Sequence, residues 1–248
     1  MASWYHDESF WTETFPFMFS DERMQAAGDE ADRMLILADF EGDAVLDLCC
    51  GPGRHSVRLA GQGLKVTGVD VTPFLLDKAR ALADAAGVSV EWVLSDMLDF
   101  SRPAAFDFAM SMFTSFGYFE KEEDDLAVLT KVCENLKPGG VFLIDVLSKE
   151  RLARTFQPTI SELLDDGSVL IQRNRIVDDW TGVSNEWIVV RGGRARTFHF
   201  RLTIYSGREL KDRLFEAGFD EVRLFGDLDG GPYGYDAERL IAVARKGS

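Results

Sequence analysis

The sequence is poor in the residues that hold small extracellular domains or metal centres together. Its 248 residues include three cysteines and three histidines, and two of the cysteines, Cys49 and Cys50, are adjacent. Such a set makes no disulfide framework and leaves few ligands for a metal ion. A chain of this length can bury enough surface to fold without either kind of cross-link. We therefore expect a reduced protein without a bound metal.

Long hydrophobic runs and an excess of basic residues are also missing. No apolar run reaches the roughly 18 residues of a membrane-spanning helix, and the N-terminus has no basic flank followed by the apolar core of a signal peptide. The 27 basic residues are outnumbered by 42 acidic ones, for a formal net charge of −15. Because affinity for a phosphate backbone comes from Lys and Arg, this balance argues against nucleic acid as the main partner. The composition predicts an acidic cytoplasmic protein that does not enter a membrane.

Between residues 43 and 146, short apolar runs alternate with segments of helical periodicity. Strands that alternate with helices need crossover connections, which predicts a parallel sheet with helices on both faces. The run Val141–Ile144 contains no polar residue, as expected of a strand buried on both faces. The predicted strands are 44–49, 64–69, 88–94, 106–112 and 141–146, and the predicted helices are 23–39, 55–60, 73–86 and 121–136.

The pattern changes after residue 146. Three segments now alternate apolar with polar residues and are separated by turn sequences, which is typical of an antiparallel meander with one covered face. They are 169–178, 184–190 and 196–205. A helix over 206–217 and strands over 219–225 and 240–245 then resume the earlier pattern. We predict an α/β fold: a three-layer, Rossmann-like, mostly parallel seven-stranded sheet with an antiparallel β insertion.

A glycine-rich turn, CCGPG (49–53), follows the first predicted strand. Glycine lets a ligand approach the backbone, and the helix that follows offers free N–H groups at its N-terminus. Ligands of open α/β sheets bind beyond the carboxyl ends of the strands, where this turn must lie. Asp47, Asp70 and Asp96 stand at or near the ends of the first three predicted strands. We expect the three carboxylates to line one crevice and to bind one ligand; the alternative for each is a helix N-cap.

Together with the turn KPGG (137–140) before the fifth strand, these features resemble the class I S-adenosylmethionine-dependent methyltransferases. The resemblance covers residues 40–146 and the closing strands, and it implies S-adenosylmethionine as the cofactor. It places Asp47 near the methionine amino group of the cofactor, with Gly51 and Gly53 beside the methionyl part.

The resemblance also implies the contacts of the nucleoside. Asp70 accepts hydrogen bonds from both ribose hydroxyls, and Asp96 accepts one from the adenine amino group. Met97 packs against the adenine ring and Val71 flanks it. A carboxylate can accept from two hydroxyls, and a soft thioether suits the face of a flat base, so the residue types agree with these roles. Cys49 departs from the family, which often has glycine at this position.

A nicotinamide-dinucleotide site competes for the same residues. Its glycine motif needs glycine or alanine at a third position, which is Ser56 in this chain. The acidic residue after the second strand is common to both families and does not separate them. The KPGG turn favours the methyltransferase.

The loop after the fourth strand is the candidate substrate wall. Residues 111–119 combine aromatic rings with hydroxyl groups, which would hold an organic molecule and attract a sulfonium by cation–π contact. We assign Phe113 to the cofactor, Thr114 to the substrate, and Tyr118 to the substrate and to catalysis. An ordinary buried loop is the alternative.

Two further segments are candidate covers of the pocket. The N-terminal residues are unusually aromatic, and they form either a lid, in which Tyr5 or Trp11 touches the ligand, or a strap against the core or against a second copy in a homodimer. On the insertion, His199 and Arg201 share one face of a strand. If that face lines the pocket, His199 is a candidate base and Arg201 an anion clamp; otherwise both meet solvent.

The sequence thus predicts methyl transfer from S-adenosylmethionine to an amine or hydroxyl of a small organic molecule. A tRNA or protein acceptor, an NAD-dependent oxidoreductase and a non-catalytic S-adenosylmethionine-binding protein are the alternatives. Four parts are predicted: an aromatic lid and helix (1–40), the cofactor-binding core (41–150), an insertion that covers the substrate (151–205) and the completion of the core (206–248).

Overall fold

The computed structural model of the chain describes residues 3–248, so the first two residues of the predicted N-terminal part lie outside it. The strands are β1 (Ala44–Leu48), β2 (Lys65–Asp70), β3 (Glu91–Leu94), β4 (Phe106–Ser111), β5 (Leu136–Val146), β6 (Thr159–Leu163), β7 (Val169–Val177), β8 (Gly182–Arg191), β9 (Arg194–Thr203), β10 (Glu221–Phe225) and β11 (Leu240–Arg245). The α-helices are α1 (Glu8–Met18), α2 (Asp21–Ala38), α3 (Arg54–Gly61), α4 (Pro73–Ala86), α5 (Glu122–Asn135), α6 (Lys149–Thr155) and α7 (Gly207–Glu216). Two 3₁₀ turns cover Trp4–His6 and Asp178–Trp180.

The central sheet has seven strands in the order β10-β11-β5-β4-β1-β2-β3. Strands β1 to β5 run parallel, and β11 pairs antiparallel with both β5 and β10. The predicted fold class is confirmed. From β1 the chain proceeds to β2 and β3 on one side, and then returns to β4 and β5 on the other. The loops after β1 and β4 therefore diverge, and a crevice opens between them.

Helix α4 illustrates how the sequence sets these elements. Pro73 occupies the first turn of α4, where backbone N–H groups make no hydrogen bond within the helix, so the N–H that proline lacks is not needed. Gly87 ends the helix in the left-handed conformation at φ +66°. Leu75, Leu76 and Ala79 are buried on its inner face, and each leucine contributes about 1.5–3 kcal/mol by leaving water. None of the helices among residues 3–248 has the length and hydropathy needed to cross a membrane.

Three elements go beyond the sequence prediction: α1, α6 and β6. Asp7 begins α1, because its carboxylate accepts the N–H of Ser9 at 2.9 Å. Every residue of β6 is exposed, so no hydrophobic alternation marks that strand. In the central sheet, β5 begins at Leu136 rather than at residue 141, because Leu136 already pairs with Phe106 across a bulge in the register.

The insertion is a four-stranded antiparallel sheet in the order β6-β7-β8-β9. Its alternation turns Phe198 and Phe200 toward the N-terminal segment. The Phe198 ring lies 5.4 Å from that of Phe10, and the Phe200 ring lies 4.9 Å from that of Trp4. Phe10 and Tyr5 also belong to the hydrophobic core that extends through the central sheet. The N-terminal aromatic residues therefore join the two sheets.

The turn between β1 and α3 yields a test of packing. Gly53 has φ +74°, and a Cβ placed on it would lie 2.5 Å from Trp92 Cη2. Gly63 has φ +91°, and nothing lies within 4 Å of such a Cβ. We expect Gly63→Ala to lose about 1–2 kcal/mol of unfolding free energy through left-handed strain, and Gly53→Ala to lose clearly more. Urea unfolding measures both, and equal losses would show that the Trp92 ring yields without cost.

Candidate cofactor and substrate site

A cavity of about 580 Å³ opens at the carboxyl ends of the strands, where the strand order reverses. Its volume lies in the range of small-molecule sites. The loops after β1 to β5 line it together with the N-terminal segment, α6 and the loop before β11. The predicted cofactor residues that line it are Asp47, Gly51, Asp70, Val71, Asp96, Met97 and Phe113, and the predicted substrate residues are Tyr5, Trp11, Thr114 and Tyr118.

Asp47 lies in β1, one residue before the strand ends, and its side chain is buried. The Ser56 hydroxyl donates to its Oδ2 at 2.5 Å. Burial raises the pKa of Asp47 to about 7, against the hydrogen bond from Ser56 and the charge of Arg54, which favour ionisation. A buried carboxyl at the cavity wall with so high a pKa is suited to gain a cationic partner.

The turn after β1 takes a left-handed path at Cys49, Gly51 and Gly53. Cys49 has φ +61°, a conformation that costs a side-chain-bearing residue about 1–2 kcal/mol. Cys49 thus holds a left-handed conformation that glycine adopts without strain. Gly51 lines the cavity, whereas Gly53 does not; its missing side chain makes room for Trp92. The contact of Gly53 with the methionyl part of the cofactor stays a prediction; packing against Trp92 of β3 and Ala79 of α4 also requires glycine at this position.

Asp70 ends β2 and is 7% exposed. Its Oδ2 accepts the N–H of Gly51 and its Oδ1 accepts the N–H of Thr72, both at 2.9 Å. One carboxylate thus fixes the turn after β1 and the start of α4. Each oxygen keeps a further lone pair, and the residue faces the cavity, an arrangement that suits a ribose diol.

Asp96 follows β3 by two residues. Its Oδ1 accepts the N–H of Leu98 at 2.9 Å, and its Oδ2 lies 3.3 Å from Nε2 of His6. The Met97 sulfur lies 3.8 Å from that of Cys49. Asp96, Met97 and Val71 form the end of the cavity farthest from β5, where the strand order places β3 at the sheet edge.

The loop after β4 is held in a strained conformation. Phe113 and Thr114 have φ +58° and +62°, in the left-handed region. Asp145, near the end of β5, accepts the N–H of Phe113 through Oδ2 and that of Thr114 through its main-chain oxygen, both at 2.9 Å. Arg239 binds the same carboxylate through two nitrogens. These bonds keep the loop at the cavity wall.

A buried charge cluster supports this loop from the other side. Glu30 of α2 binds Arg54 and lies 2.8 Å from Nε2 of His55. Burial alone would raise the pKa of Glu30, but the hydrogen bond of His55 and the charge of Arg54 lower it to about 2. Burial lowers the pKa of His55, so its imidazole is neutral at neutral pH. The Arg54 guanidinium lies 4.2 Å from the centre of the Phe113 ring.

The remaining wall is aromatic. The ring of Tyr118 lies 4.8 Å from that of Trp4 and 5.7 Å from that of Tyr5, and Trp11 Nε1 donates to the main-chain oxygen of Tyr5 at 2.8 Å. Burial raises the pKa of Tyr118 well above its usual value. Its phenol therefore stays protonated, and it can orient a ligand by hydrogen bonding without acting as a base.

Comparison with known proteins identifies the family. Residues 45–140 match the family described as methyltransferase domain. A protein of Geobacillus sp. (strain WCH70), named as a methyltransferase, is 30% identical over 208 residues, which span 82% of this chain and 84% of that protein. This chain belongs to the class I S-adenosylmethionine-dependent methyltransferases.

Solved structures share the fold of this methyltransferase. An S-adenosylmethionine-dependent methyltransferase of Clostridium acetobutylicum ATCC 824 gives a TM-score of 0.80 at 18% identity, over 97% of this chain and 98% of that one. CalS10 of Micromonospora echinaspora, an amino pentose methyltransferase with bound S-adenosylmethionine, gives 0.67 at 22% identity, over 90% of each chain. The predicted family and cofactor are confirmed.

The cavity of the methyltransferase fits S-adenosylmethionine. The buried carboxyl of Asp47, whose Oδ2 accepts the neutral hydroxyl of Ser56, suits an ammonium group. Asp70 and Asp96 offer acceptors for hydroxyl and amino groups at the neighbouring strand ends. When bound, the cofactor supplies an electrophilic methyl group on a sulfonium.

The structure does not bring His199 and Arg201 into the cavity. The His199 side chain is 70% exposed and lies 4.0 Å from Glu186, and Arg201 binds Asp178 at 2.8 Å. The reason is that side chains alternate between the two faces of β9. Phe198 points inward, so His199 and Arg201 lie on the opposite, solvent-facing side. The roles of catalytic base and anion clamp are therefore not assigned to this methyltransferase's insertion.

Several charged cavity residues are missing from the sequence prediction. They are Arg23, Arg54, Asp145, Arg151, Glu238 and Arg239. Asp145 could have been identified from the sequence. It interrupts the apolar residues of β5 one position before the strand ends, as Asp47 does in β1. The arginines carry no local motif that distinguishes them from surface residues.

Asp70 yields a test of the ribose role. Asp70→Asn keeps one acceptor oxygen but removes the charge, so affinity for S-adenosylhomocysteine should fall about tenfold or more, as for loss of hydrogen bonds to a charged group. Asp77→Asn, on the exposed side of α4, is the matched control and should bind as the parent does. Calorimetric titration measures both. Unaltered affinity in Asp70→Asn would remove the residue from the ribose site.

Asp47 yields a pH prediction. Its ionised form pairs with an ammonium group, and its pKa of about 7 means that a proton must leave before pairing at lower pH. Affinity for S-adenosylhomocysteine should therefore rise from about pH 5.5 to 7 and level off above, by up to about tenfold per pH unit. Calorimetry in buffers of different ionisation enthalpy should show proton release below pH 7. Asp47→Asn should bind weakly with no such rise; a flat profile in the parent protein would contradict the assignment.

Proposed function

We propose that this methyltransferase transfers the methyl group of S-adenosylmethionine to an amine or hydroxyl of a small organic molecule. The observation that carries the proposal is that one cavity, of about 580 Å³, contains both predicted sites. The strand-end carboxylates of the cofactor site and the aromatic loop after β4 line the same space. An acceptor next to the methyl group must therefore fit within a volume typical of small-molecule sites.

Positioning and exclusion of water account for most of the chemistry in this proposal. Methyl transfer from a sulfonium is an in-line displacement, which is accelerated when both partners are held in alignment. The strand-end carboxylates hold the donor, and the Phe113–Thr114 backbone, fixed by Asp145, sets the opposite wall. Trp4 and Tyr5 pack against Tyr118 and shield this wall from water.

An amine acceptor agrees with the aromatic part of the wall, formed by Tyr5, Trp11 and Tyr118. A neutral amine has the lone pair that the displacement needs, and partial burial favours the neutral form over the ammonium. The protonated phenol of Tyr118 can donate a hydrogen bond to the acceptor. The Micromonospora enzyme, which shares this fold, is an amino pentose methyltransferase, which supports a small amine as acceptor.

The experiment that tests this function is a survey of acceptors. The protein is incubated with S-adenosylmethionine and a set of small amines, small alcohols, bulk tRNA and unfolded protein, and release of S-adenosylhomocysteine is followed. We expect release with small amines or alcohols. Release with tRNA or protein alone would favour a macromolecular acceptor, and tight cofactor binding with no release in any arm would favour a binding protein. A thermal shift with NAD in place of S-adenosylmethionine would overturn the cofactor site itself.

Tyr118 yields a test within this function. Tyr118→Phe keeps the ring contacts with Trp4 and Tyr5 and removes the hydroxyl. We expect kcat/KM for the acceptor to fall about tenfold, the effect of one lost hydrogen bond to a reacting group, with S-adenosylhomocysteine affinity unchanged. Phe116→Leu, which alters a buried ring of the same loop, controls for loop disturbance. A Tyr118→Phe enzyme with full kcat/KM would show that the hydroxyl does not touch the acceptor.

A further inference from the structure

Both acidic and basic side chains line the cavity. The carboxylates Asp47, Asp70 and Asp96 lie where β1, β2 and β3 end, and Asp145 and Glu238 lie elsewhere on the wall. Four guanidinium groups also line it: Arg23, Arg54, Arg151 and Arg239. In a chain whose formal net charge is −15, a cavity arginine that no carboxylate holds by a hydrogen bond points to a ligand with negative charge.

Two of these arginines already have carboxylate partners. Arg239 donates through Nε to Asp145 at 2.9 Å and binds its other oxygen as well. Arg54 binds Glu30. Both guanidinium groups also lie over the Phe113 ring, 4.1 Å and 4.2 Å from its centre. Their charge is used to hold the loop after β4.

Arg151 is placed differently. Its Nε is buried and has no hydrogen-bond partner in the described part of the chain. Glu238 Oε2 lies 3.9 Å from that nitrogen, which is beyond hydrogen-bond reach, and Glu238 also binds Arg154 at 3.3 Å. A buried N–H without an acceptor is unfavourable. The rest of the Arg151 side chain is 40% exposed and lines the cavity, so its outer guanidinium nitrogens can donate to an anionic oxygen there.

The strand order decides which ligand meets Arg151. The donor carboxylates lie over β1, β2 and β3, and Arg151 lies in α6, directly after β5 on the other side of β4. The amino-acid end of the donor belongs near Asp47, where the charge of Arg54 acts. The main-chain oxygen of Arg23 accepts from Arg54 at 3.0 Å, which places Arg23 at that end too. Arg151 is therefore on the acceptor side.

We propose that the methyl acceptor carries an acidic oxygen group, a carboxylate or a phosphate, and that Arg151 binds it. The inference rests on the proposed small-molecule function and narrows its substrate class. A guanidinium presents parallel N–H donors that match the paired oxygens of either group. Arg151 is thereby a specificity residue, which fixes the far end of the acceptor while its amine or hydroxyl faces the donor.

The first test is chemical protection of Arg151. With S-adenosylhomocysteine at saturation, the protein is treated with phenylglyoxal in chloride, acetate or phosphate at equal ionic strength. Arg151 is 40% exposed, so the reagent reaches it. We expect acetate or phosphate to slow its modification about threefold relative to chloride, as for an anion that fills about two-thirds of the sites. Arg208, which is 84% exposed, should react equally in all three salts. The more protective anion distinguishes carboxylate from phosphate.

The second test uses matched variants. Acetate or phosphate should raise the Tm of the S-adenosylhomocysteine complex above its value in chloride for the parent and for Arg208→Gln, which removes an exposed arginine paired with Asp212 away from the cavity. Arg151→Gln should lose this rise. Equal modification rates in all salts, or protection of Arg151 by S-adenosylhomocysteine alone, would overturn the proposal. Failure of the proposed function appears separately, as absence of methyl transfer to every small amine and alcohol in the acceptor survey.

Discussion

A carboxylate at the end of one strand, bound to the backbone N–H of the loop after the neighbouring strand, is the interaction on which the site depends. Asp70 of β2 binds Gly51 after β1 in this way, and Asp145 of β5 binds Phe113 after β4, each at 2.9 Å. Both carboxylates are buried, and a charged acceptor makes such bonds strong. The two loops that flank the reversal of strand order are thus fixed by the same device.

These hydrogen bonds explain how the loops after β1 and β4 keep strained backbone conformations. Cys49, Phe113 and Thr114 all adopt left-handed backbone angles, each at a cost of about 1–2 kcal/mol. The hydrogen bonds of the two carboxylates, with Arg239 behind one of them, offset part of that strain. Three of the eight non-glycine residues with positive φ in the described part of the chain therefore lie at the cavity wall, and strain held at such a wall can serve to position a ligand.

The central fold and the meeting of three strand-end carboxylates at one cavity could be predicted because their signals are local. Parallel strands bring their carboxyl ends to one edge, so Asp47, Asp70 and Asp96 follow from the strand ends alone. The contributions of the insertion and of α6 to the cavity could not be predicted in the same way. A period of two defines the faces of β9 but not which face meets the core, and the structure places His199 on the wet face. Arg151 reaches the cavity from a helix that no local pattern ties to it.

The N-terminal segment touches both ends of the cavity at once. His6 lies against Asp96 at one end, and Tyr5 packs on Tyr118 at the other. An outward movement of this one short stretch would therefore open the Asp96 end and the Tyr118 end of the cavity together, so access to the two ends is coupled through residues 5 and 6.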